Sequence, residues 1–409
     1  MGIIHGIFFI GGQAFCNPNT ILPIFLNHFT NSKTLIGLSS TLMGSLGGIG
    51  SVFPQLFVAS KLENKIYKKP LLKFAITIRA LSWGFLALTT YVFSNTYPSL
   101  TIFFLFFILI LFTFMGGIAA VPFYDIWGKS LPSNLRGRFF GYRQLWGGVL
   151  AIGSGFIAKI TLGTDKIKFP INFVLLFLFA FIFISISYIA LGSVKEPIEK
   201  VHKSQLIFKD FLRKAFRIIR KNNNYRKFIT VQILAGAGAI ALPFYIIYLK
   251  DVLEIELGMV GILLSAQMLG SLLSNILWAY LSDFVGNKKV VQISTFVGLI
   301  VPFIAFIARS QHELLYFLLF VSIGFFISGN LIGKTNYLLD MAPSRDRPTY
   351  ISLTGTLSFP VSLFPLIGGL IVQETSYEIL FLITGIFILF GFILSFSLKE
   401  PRSIKIDKS

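Results

Sequence analysis

Apolar residues fill the chain in twelve long stretches, and short polar connectors separate them. Each stretch reaches the length of about 20 residues that a helix needs to cross the hydrocarbon core of a bilayer. Backbone groups in lipid must be paired within their own segment, so the stretches are predicted to be helices. The predicted spans, numbered 1 to 12, are 4–26, 35–59, 71–93, 98–122, 140–162, 170–193, 227–249, 258–281, 289–309, 313–337, 350–373 and 378–398.

Basic residues alternate between the two sets of connectors. Of the 36 Lys and Arg residues, 29 lie on the side of both termini and the central loop, six lie on the other side, and Arg79 lies within span 3. The positive-inside rule therefore predicts that both termini and the central loop are cytoplasmic, and we expect a multi-pass protein of the plasma membrane.

Composition excludes a soluble enzyme. The chain is 55% hydrophobic and 13% charged, with a mean hydropathy of +0.78, whereas soluble domains carry about 25% charged residues. A net charge of +19 in a soluble protein would point to nucleic acid. Here its one-sided distribution points instead to anionic lipids of the inner leaflet, and no nucleic-acid partner is predicted.

The pattern predicts an all-α polytopic membrane protein built from two related six-helix bundles. The predicted domains are 1–194, a cytoplasmic basic linker at 195–226, and 227–409 with a short cytoplasmic tail. Apolar residues at helical spacing with basic residues between them indicate an amphipathic linker helix on the inner leaflet. Short matches recur in both halves: a Leu-Pro pair precedes a Lys-Lys pair by 46 residues at Leu22 and again at Leu242. Chance recurrence is the alternative, but the consistent placement favours duplication.

The connector after span 8 reads Ala-Tyr-Leu-Ser-Asp-Phe-Val-Gly-Asn-Lys-Lys over 279–289. It resembles the signature loop of the major facilitator superfamily, Gly-x-x-x-Asp-Arg-x-Gly-x-basic-basic. Ala279 and Phe284 depart from that pattern, and the residues that fit it are Asp283, Gly286, Lys288 and Lys289. The copy after span 2 keeps Lys65, Lys68 and Lys69, has Asn64 in place of the acid, and carries Glu63 one position early.

This resemblance covers the whole chain and implies a carrier that works by alternating access, with monomer as the expected state. It implies that Asp283 and the residues of both loops act as gates, Asp283 by capping a helix N-terminus across the two halves. A tight basic turn without a gating role is the alternative. Further contacts are expected at the cytoplasmic helix ends, from Asp125, Arg136, Arg138, Asp340, Arg345 and Arg347.

Polar and aromatic residues within the spans are candidates for lining a central substrate cavity. They are Gln13, Asn17, Asn19, Arg79, Trp83, Trp146, Gln232, Tyr245, Gln267, Asn275 and Asn330. Pro18 stands between Asn17 and Asn19 and is predicted to interrupt span 1, because it cannot donate a helical hydrogen bond. For each single Asn or Gln, an interhelical hydrogen bond is the alternative.

Arg79 is the one ionisable residue deep within a predicted span. A structural role, with Asp125 as its partner, is favoured over a role in substrate binding. No Asp or Glu occupies a comparable position in the sequence, although proton-coupled carriers use such a group. This favours facilitated diffusion, or coupling through a site that the sequence does not reveal.

The chain carries no recognisable catalytic or cofactor motif. The stretch 329–335 imitates a phosphate-binding loop but is one residue short and follows no strand, and 236–241 imitates a dinucleotide fingerprint within an apolar helix, where small-residue packing explains it. The four histidines share no metal-ligand spacing, so no metal, cofactor or enzymatic activity is predicted.

The sequence therefore predicts a transporter that moves a small solute across the plasma membrane, as a secondary active permease, an efflux carrier or a uniporter. The alternative from another class is a carrier-like membrane sensor or a lipid-interacting scaffold.

The predicted topology can be tested by cysteine labelling in a Cys16→Ala background. Cysteines replacing Tyr67 and Arg213 are expected to react with a membrane-impermeant maleimide only from the cytoplasmic side, and one replacing Asp165 only from outside. Labelling of positions 67 and 213 from opposite sides would contradict the twelve-span arrangement.

Overall fold

The computed structural model describes residues 1–44, 67–130, 133–197, 208–308, 312–343 and 346–401, with positions 54 and 58. These ranges form helices and short connections, without a strand. The helices are α1 (Gly2–Ala14), α2 (Ile21–Asn27), α3 (Lys33–Met43), α4 (Lys69–Phe93), α5 (Pro98–Ser130), α6 (Ser133–Gly163), α7 (Ile171–Gly192), α8 (Phe208–Lys221), α9 (Asn223–Gly236), α10 (Gly238–Asp251), α11 (Leu257–Tyr280), α12 (Asn287–Ile307), α13 (Glu313–Met341), α14 (Arg347–Leu357), α15 (Phe364–Glu374) and α16 (Tyr377–Ser395). A π-helical turn (Leu281–Val285) follows α11, and a 3-10 turn (Phe359–Leu363) follows α14.

The polytopic helical fold predicted from the sequence is confirmed. Within the described ranges, ten helical segments are long and apolar enough to cross a membrane, and they correspond to predicted spans 3 to 12. Span 1 is formed by two shorter helices, α1 and α2, and α3 begins span 2. Most of the remainder of span 2 lies outside the described residues, so the arrangement is consistent with twelve spans.

Two spans differ in extent or continuity from the prediction. Helix α5 continues to Ser130, eight residues beyond the predicted end at position 122. In this extension Asp125 and Lys129 form an ion pair of 2.6 Å one helical turn apart, an arrangement that stabilises a helix end at an interface. Span 11 is divided by the 3-10 turn, where Pro360 cannot supply a helical amide.

Large apolar side chains are exposed on many of these helices. Examples are Phe103, Ile160, Phe303 and Leu382, which are 61–67% exposed. Soluble proteins rarely expose extended apolar patches, whereas hydrocarbon is a favourable neighbour for such side chains. The protein is therefore a multi-pass membrane protein.

The chain forms two compact units. Unit 1 comprises Met1–Lys203 and Ile246–Met268, and unit 2 comprises Ser204–Tyr245 and Leu269–Ser409. In unit 1, α1 packs on α6 and α7, and α4 packs on α5 and α7. In unit 2, α12 packs on α13 and α16, and α9 packs on α16. The predicted division at 194 and 227 remains a prediction about the duplicated halves.

The predicted linker helix is present as α8. Ile218 is buried in an apolar cluster of unit 2 that includes Tyr225 and Phe228, whereas Phe216 is 71% exposed. One side of α8 is thus fixed to unit 2 and another is turned outward. Contact of that outward side with the inner leaflet remains a prediction.

These two faces of α8 predict different responses to truncation. Ile218→Ala is expected to lower the free energy of unfolding by about 2 kcal/mol, because it leaves a cavity in the unit 2 core. Phe216→Ala is the matched control and is expected to leave thermal stability in detergent unchanged, because it removes no buried contact. Equal losses in melting temperature would contradict this assignment of the faces.

Candidate functional site

Span 1 is interrupted at its middle, as predicted. Helix α1 ends at Ala14 and α2 begins at Ile21. Between them Asn17 Oδ1 accepts a hydrogen bond of 2.8 Å from the Asn19 backbone N–H, and Ser40 Oγ donates one of 2.5 Å to the Pro18 carbonyl. Unit 1 itself therefore satisfies polar groups of the interruption, which would otherwise be costly in a membrane.

The first span of the second half is interrupted too. Helix α9 ends at Gly236 and α10 begins at Gly238. A Cβ at Gly238 would lie 2.5 Å from the Phe326 ring, and one at Gly236 would lie 2.7 Å from Val361. The small-residue packing inferred from the sequence is thus present, but the break in the helix was not foreseen. Interrupted helices at corresponding positions of two repeats are typical of solute sites in carriers.

Buried amide side chains occur in both units. In unit 1, Gln13 Nε2 and Gln267 Oε1 are buried with no hydrogen-bond partner within the described chain. In unit 2, Gln232 is 5% exposed on α9, one turn before Gly236. An unsatisfied buried polar group costs about 1–3 kcal/mol. Such groups are therefore candidates for receiving a polar solute.

Other cavity candidates have structural partners. Asn275 Oδ1 accepts a hydrogen bond from Ser328, and the Tyr245 ring stacks on Phe381 at 5.1 Å. Trp146 is 53% exposed and Asn330 is half-buried. A role for any of these four in solute binding remains a prediction.

Arg79 does not pair with Asp125, contrary to the interpretation favoured from the sequence. The Asp125 carboxylate binds Lys68 at 2.7 Å and Lys129 at 2.6 Å. The Arg79 guanidinium lies over the Phe112 ring at 4.1 Å, and Trp83 meets the same ring at 5.3 Å. The structure thus brings two of the predicted cavity residues, Arg79 and Trp83, to one aromatic side chain.

The loop that contains Asp283 has a defined hydrogen-bond network. Ser282 Oγ donates to Asn287 Oδ1 at 2.7 Å, and Asn287 Nδ2 donates to Asp340 Oδ2 at 2.7 Å. Asp283 itself is exposed. Gly286 has φ +114°, a conformation that L side chains rarely adopt, and a Cβ there would meet Glu400 at 2.6 Å. The glycine of the signature loop is therefore required by both backbone and packing.

Two glutamates that the sequence analysis did not select cap the helices after the signature loops. Glu400 Oε2 accepts from the Lys288 backbone N–H at 2.9 Å, at the start of α12. Glu196 accepts from the backbone N–H groups of Lys68 and Lys69 at 2.9 and 3.0 Å, at the start of α4. A carboxylate at a helix N-terminus satisfies free amides and opposes the helix dipole. The sequence signal was available, because each glutamate stands in a Lys-Glu-Pro triplet.

The remaining predicted gate and helix-end residues are only partly described. Glu63, Asn64, Lys65 and Arg345 lie outside the described residues, as do the side chains of Arg136 and Arg347. Arg138 and Lys289 are exposed. The gating assignments therefore remain predictions.

Unit 1 also contains a polar cavity of about 480 Å³. Its wall includes Asp251, which forms an ion pair of 2.5 Å with Lys33 and accepts a hydrogen bond of 2.8 Å from Asn27. His28 in the same wall stacks on Phe169 at 3.7 Å, and burial lowers the pKa of His28. Residues 246–268, which belong to the second half of the sequence, are thus tied into unit 1 by charge as well as by packing.

The family model described as Major Facilitator Superfamily matches residues 228–409, which is less than half of the chain. The second half of the sequence is therefore similar to this superfamily. No significant match to a curated protein sequence was found.

Solved structures of transporters match nearly the whole chain in fold. A mutant of the nucleoside transporter NupG matches with a TM-score of 0.71 at 16% identity, covering 97% of this chain and 98% of that one. A bacterial homologue of the iron transporter ferroportin in an inward-facing state gives 0.68 at 13%, with 97% of each chain covered. A bacterial homologue of the human lysosomal transporter Spinster, inward-facing and unoccupied, gives 0.66 at 12%, with 97% and 96% covered. At these identities the likeness shows the fold.

The two glutamate caps can be tested by truncation. Glu196→Ala and Glu400→Ala are each expected to lower the free energy of unfolding by about 1–3 kcal/mol, because charged hydrogen bonds to helix amides are lost. Thermal unfolding in detergent measures the effect, with the exposed Glu374→Ala as the control. A melting temperature unchanged in both cap variants would show that the caps contribute no stability.

Proposed function

We propose that this protein carries a small polar solute across the plasma membrane by alternating access. The observation that carries the proposal is the pair of interrupted helices, at 15–20 in the first half and at Ala237 in the second. Carriers built from repeats place their solute sites at such interruptions, because the freed backbone groups and nearby side chains can then serve as ligands.

The buried amides support a polar solute. Gln13 Nε2 and Gln267 Oε1 lack partners within the described chain, and Gln232 is buried beside the second interruption. A solute that hydrogen-bonds to Gln13 or to Gln267 within unit 1 would recover the free energy that burial of these unpaired groups costs. A purely apolar solute would leave that cost uncompensated.

The loop around Asp283 supports a conformational cycle. Hydrogen bonds join the side chains of Ser282, Asn287 and Asp340, and Glu400 caps the helix that follows. A rigid loop that presents an exposed carboxylate can bias an equilibrium between two states by forming a contact in one of them. We infer that both termini are cytoplasmic, from the basic connectors, and that the protein functions as a monomer.

Transport can be tested by counterflow in proteoliposomes loaded with sugars, nucleosides, amino acids, organic anions or lysolipids. We expect flux for one polar class, and about a tenfold loss in rate for Gln13→Met and for Gln232→Met, which is the effect of losing roughly 1.4 kcal/mol of hydrogen bonding. Thr230→Val, on an exposed position of α9, is the matched control.

The outcome separates the proposal from its alternative. Absence of counterflow for every class, by protein that is folded and correctly inserted, would favour a membrane sensor or scaffold. Flux that is insensitive to both glutamine substitutions would remove the interruptions as the solute site.

A further inference from the structure

Unit 1 contains two arginines within its helices whose charges have no acidic partner in the described part of the chain. Arg79 lies on α4 and Arg143 on α6, and both are half-buried. The Nε atom of each is buried without a hydrogen-bond partner. In the described part of unit 1, ion pairs form between Lys33 and Asp251 and between Asp125 and the two lysines Lys68 and Lys129.

The residues outside the described ranges do not supply an obvious partner. Positions 45–60, which complete span 2, contain no Asp or Glu. The acidic residues of unit 1 that lie outside the described ranges are Glu63 and Glu199, and both belong to predicted cytoplasmic connectors. Arg79 therefore carries its charge deep within predicted span 3, and Arg143 carries its charge near the start of predicted span 5, where an unpaired charge is still costly.

Neighbouring helices make room for both side chains. A Cβ at Gly116 on α5 would lie 3.3 Å from Arg79 Cζ, and there is no room for a Cβ at Gly6 on α1 against the Arg143 side chain. Each arginine side chain therefore packs against a glycine of another helix.

Aromatic faces and a histidine connect the two arginines. Arg79 Cζ lies 5.7 Å from the Tyr188 ring, and Arg143 Cζ lies 5.5 Å from the Phe123 ring. The His5 ring is 6.1 Å from Tyr188 and 5.6 Å from Phe123. We call these five residues the arginine cluster.

The cluster also contains hydrogen-bonding groups that could meet a ligand. The Tyr188 hydroxyl is buried without a partner in the described chain. His5 is held in place by Ser187, whose Oγ lies 2.6 Å from His5 Nδ1 and donates to the His5 carbonyl at 2.8 Å. The Trp127 Nε1 group is buried without a partner as well, and its ring lies 4.7 Å from that of Phe139, which Arg143 also contacts.

The aromatic contacts do not balance the charge. A cation–π contact offsets only part of the cost of removing an ion from water. Two guanidinium groups in one apolar cluster therefore leave a substantial electrostatic deficit. An oxyanion would remove that deficit, because carboxylate and phosphate oxygens match the paired N–H groups of a guanidinium.

We propose that the arginine cluster binds a water-soluble organic anion through its carboxylate or phosphate group, and that this anion is the transported solute. Anion binding by the cluster does not depend on the proposed carrier function, whereas transport of that anion rests on it. Arg79 is ten residues from the first residue of α4, about 15 Å along the helix axis. The cluster would thus meet its ligand within the membrane, on the side predicted to face the cytoplasm.

Binding can be measured as thermal stabilisation of the purified protein in a neutral detergent at constant ionic strength. The probes are sodium phosphate, glucose 6-phosphate and succinate, with glucose as the uncharged match and phosphatidylglycerol micelles as the lipid source of the same chemistry. We expect a saturable rise in melting temperature with at least one soluble anion and none with glucose.

Substitutions then assign the effect to the cluster. Arg79→Gln and Arg143→Gln are expected to weaken anion binding at least tenfold, and the Lys variants less, because a lysine keeps the charge but loses the paired geometry. Arg226→Gln is the matched control, since that exposed guanidinium already bonds to Asn223 and to the Arg220 carbonyl. Melting without ligand shows whether each variant is folded.

Several outcomes would overturn the proposal. These are equal stabilisation by glucose and anions, anion binding unchanged in both Gln variants, and stabilisation by phosphatidylglycerol alone, which would assign the cluster to a lipid headgroup. Counterflow separates this inference from the proposed function. If neutral solutes are transported and Arg79→Gln leaves that flux intact, the protein is a carrier but its solute is not the anion. If anions bind but no flux is seen, the anion site is supported and the carrier function is contradicted.

Discussion

A backbone amide or carbonyl inside lipid has no water to bond, and this constraint bears on the interruption of span 1 and on the starts of α4 and α12. At the interruption in span 1, Ser40 and Asn17 supply the hydrogen bonds that the missing turn would have made. At the start of α4 and of α12, glutamates arriving from the chain after α7 and after α16 take up free amides. Irregular backbone thus occurs where side chains of the protein bond to its free amide and carbonyl groups. These places coincide with the candidate solute and gating positions.

In the two predicted halves of the chain, the glutamate caps are more alike than the signature loops. The loop after span 2 has lost the acidic and glycine positions that Asp283 and Gly286 keep in the second copy. The glutamate caps, however, occur in both, each in a Lys-Glu-Pro triplet. A cap stabilises the start of its helix in every conformation of the protein, so caps are expected in both halves. A loop with a gating role can instead be kept in one half alone.

Hydrophobic length and charge asymmetry were sufficient to predict the membrane fold and the break at Pro18, because both follow from local physics. The break at Ala237 escaped prediction because glycines are compatible with a continuous membrane helix, and the contacts with Val361 and Phe326 that require them are distant in sequence. Glu196 was missed because its partners lie more than a hundred residues away. The partner of Asp125 was wrongly inferred because two lysines compete with Arg79 for that carboxylate, and only the packing of α4 on α5 shows which cations reach it.

The seating of each buried arginine against a glycine has a consequence for how the sequence can change during evolution. The volume that Arg143 occupies is available only while position 6 has no side chain, whereas a side chain at position 116 would require the Arg79 guanidinium to move slightly. Neither member of a pair can be exchanged freely while the other is kept. Among relatives of this protein, the two positions of each pair should therefore vary together, and a lineage that replaced the glycine would be expected to have abandoned the cation as well.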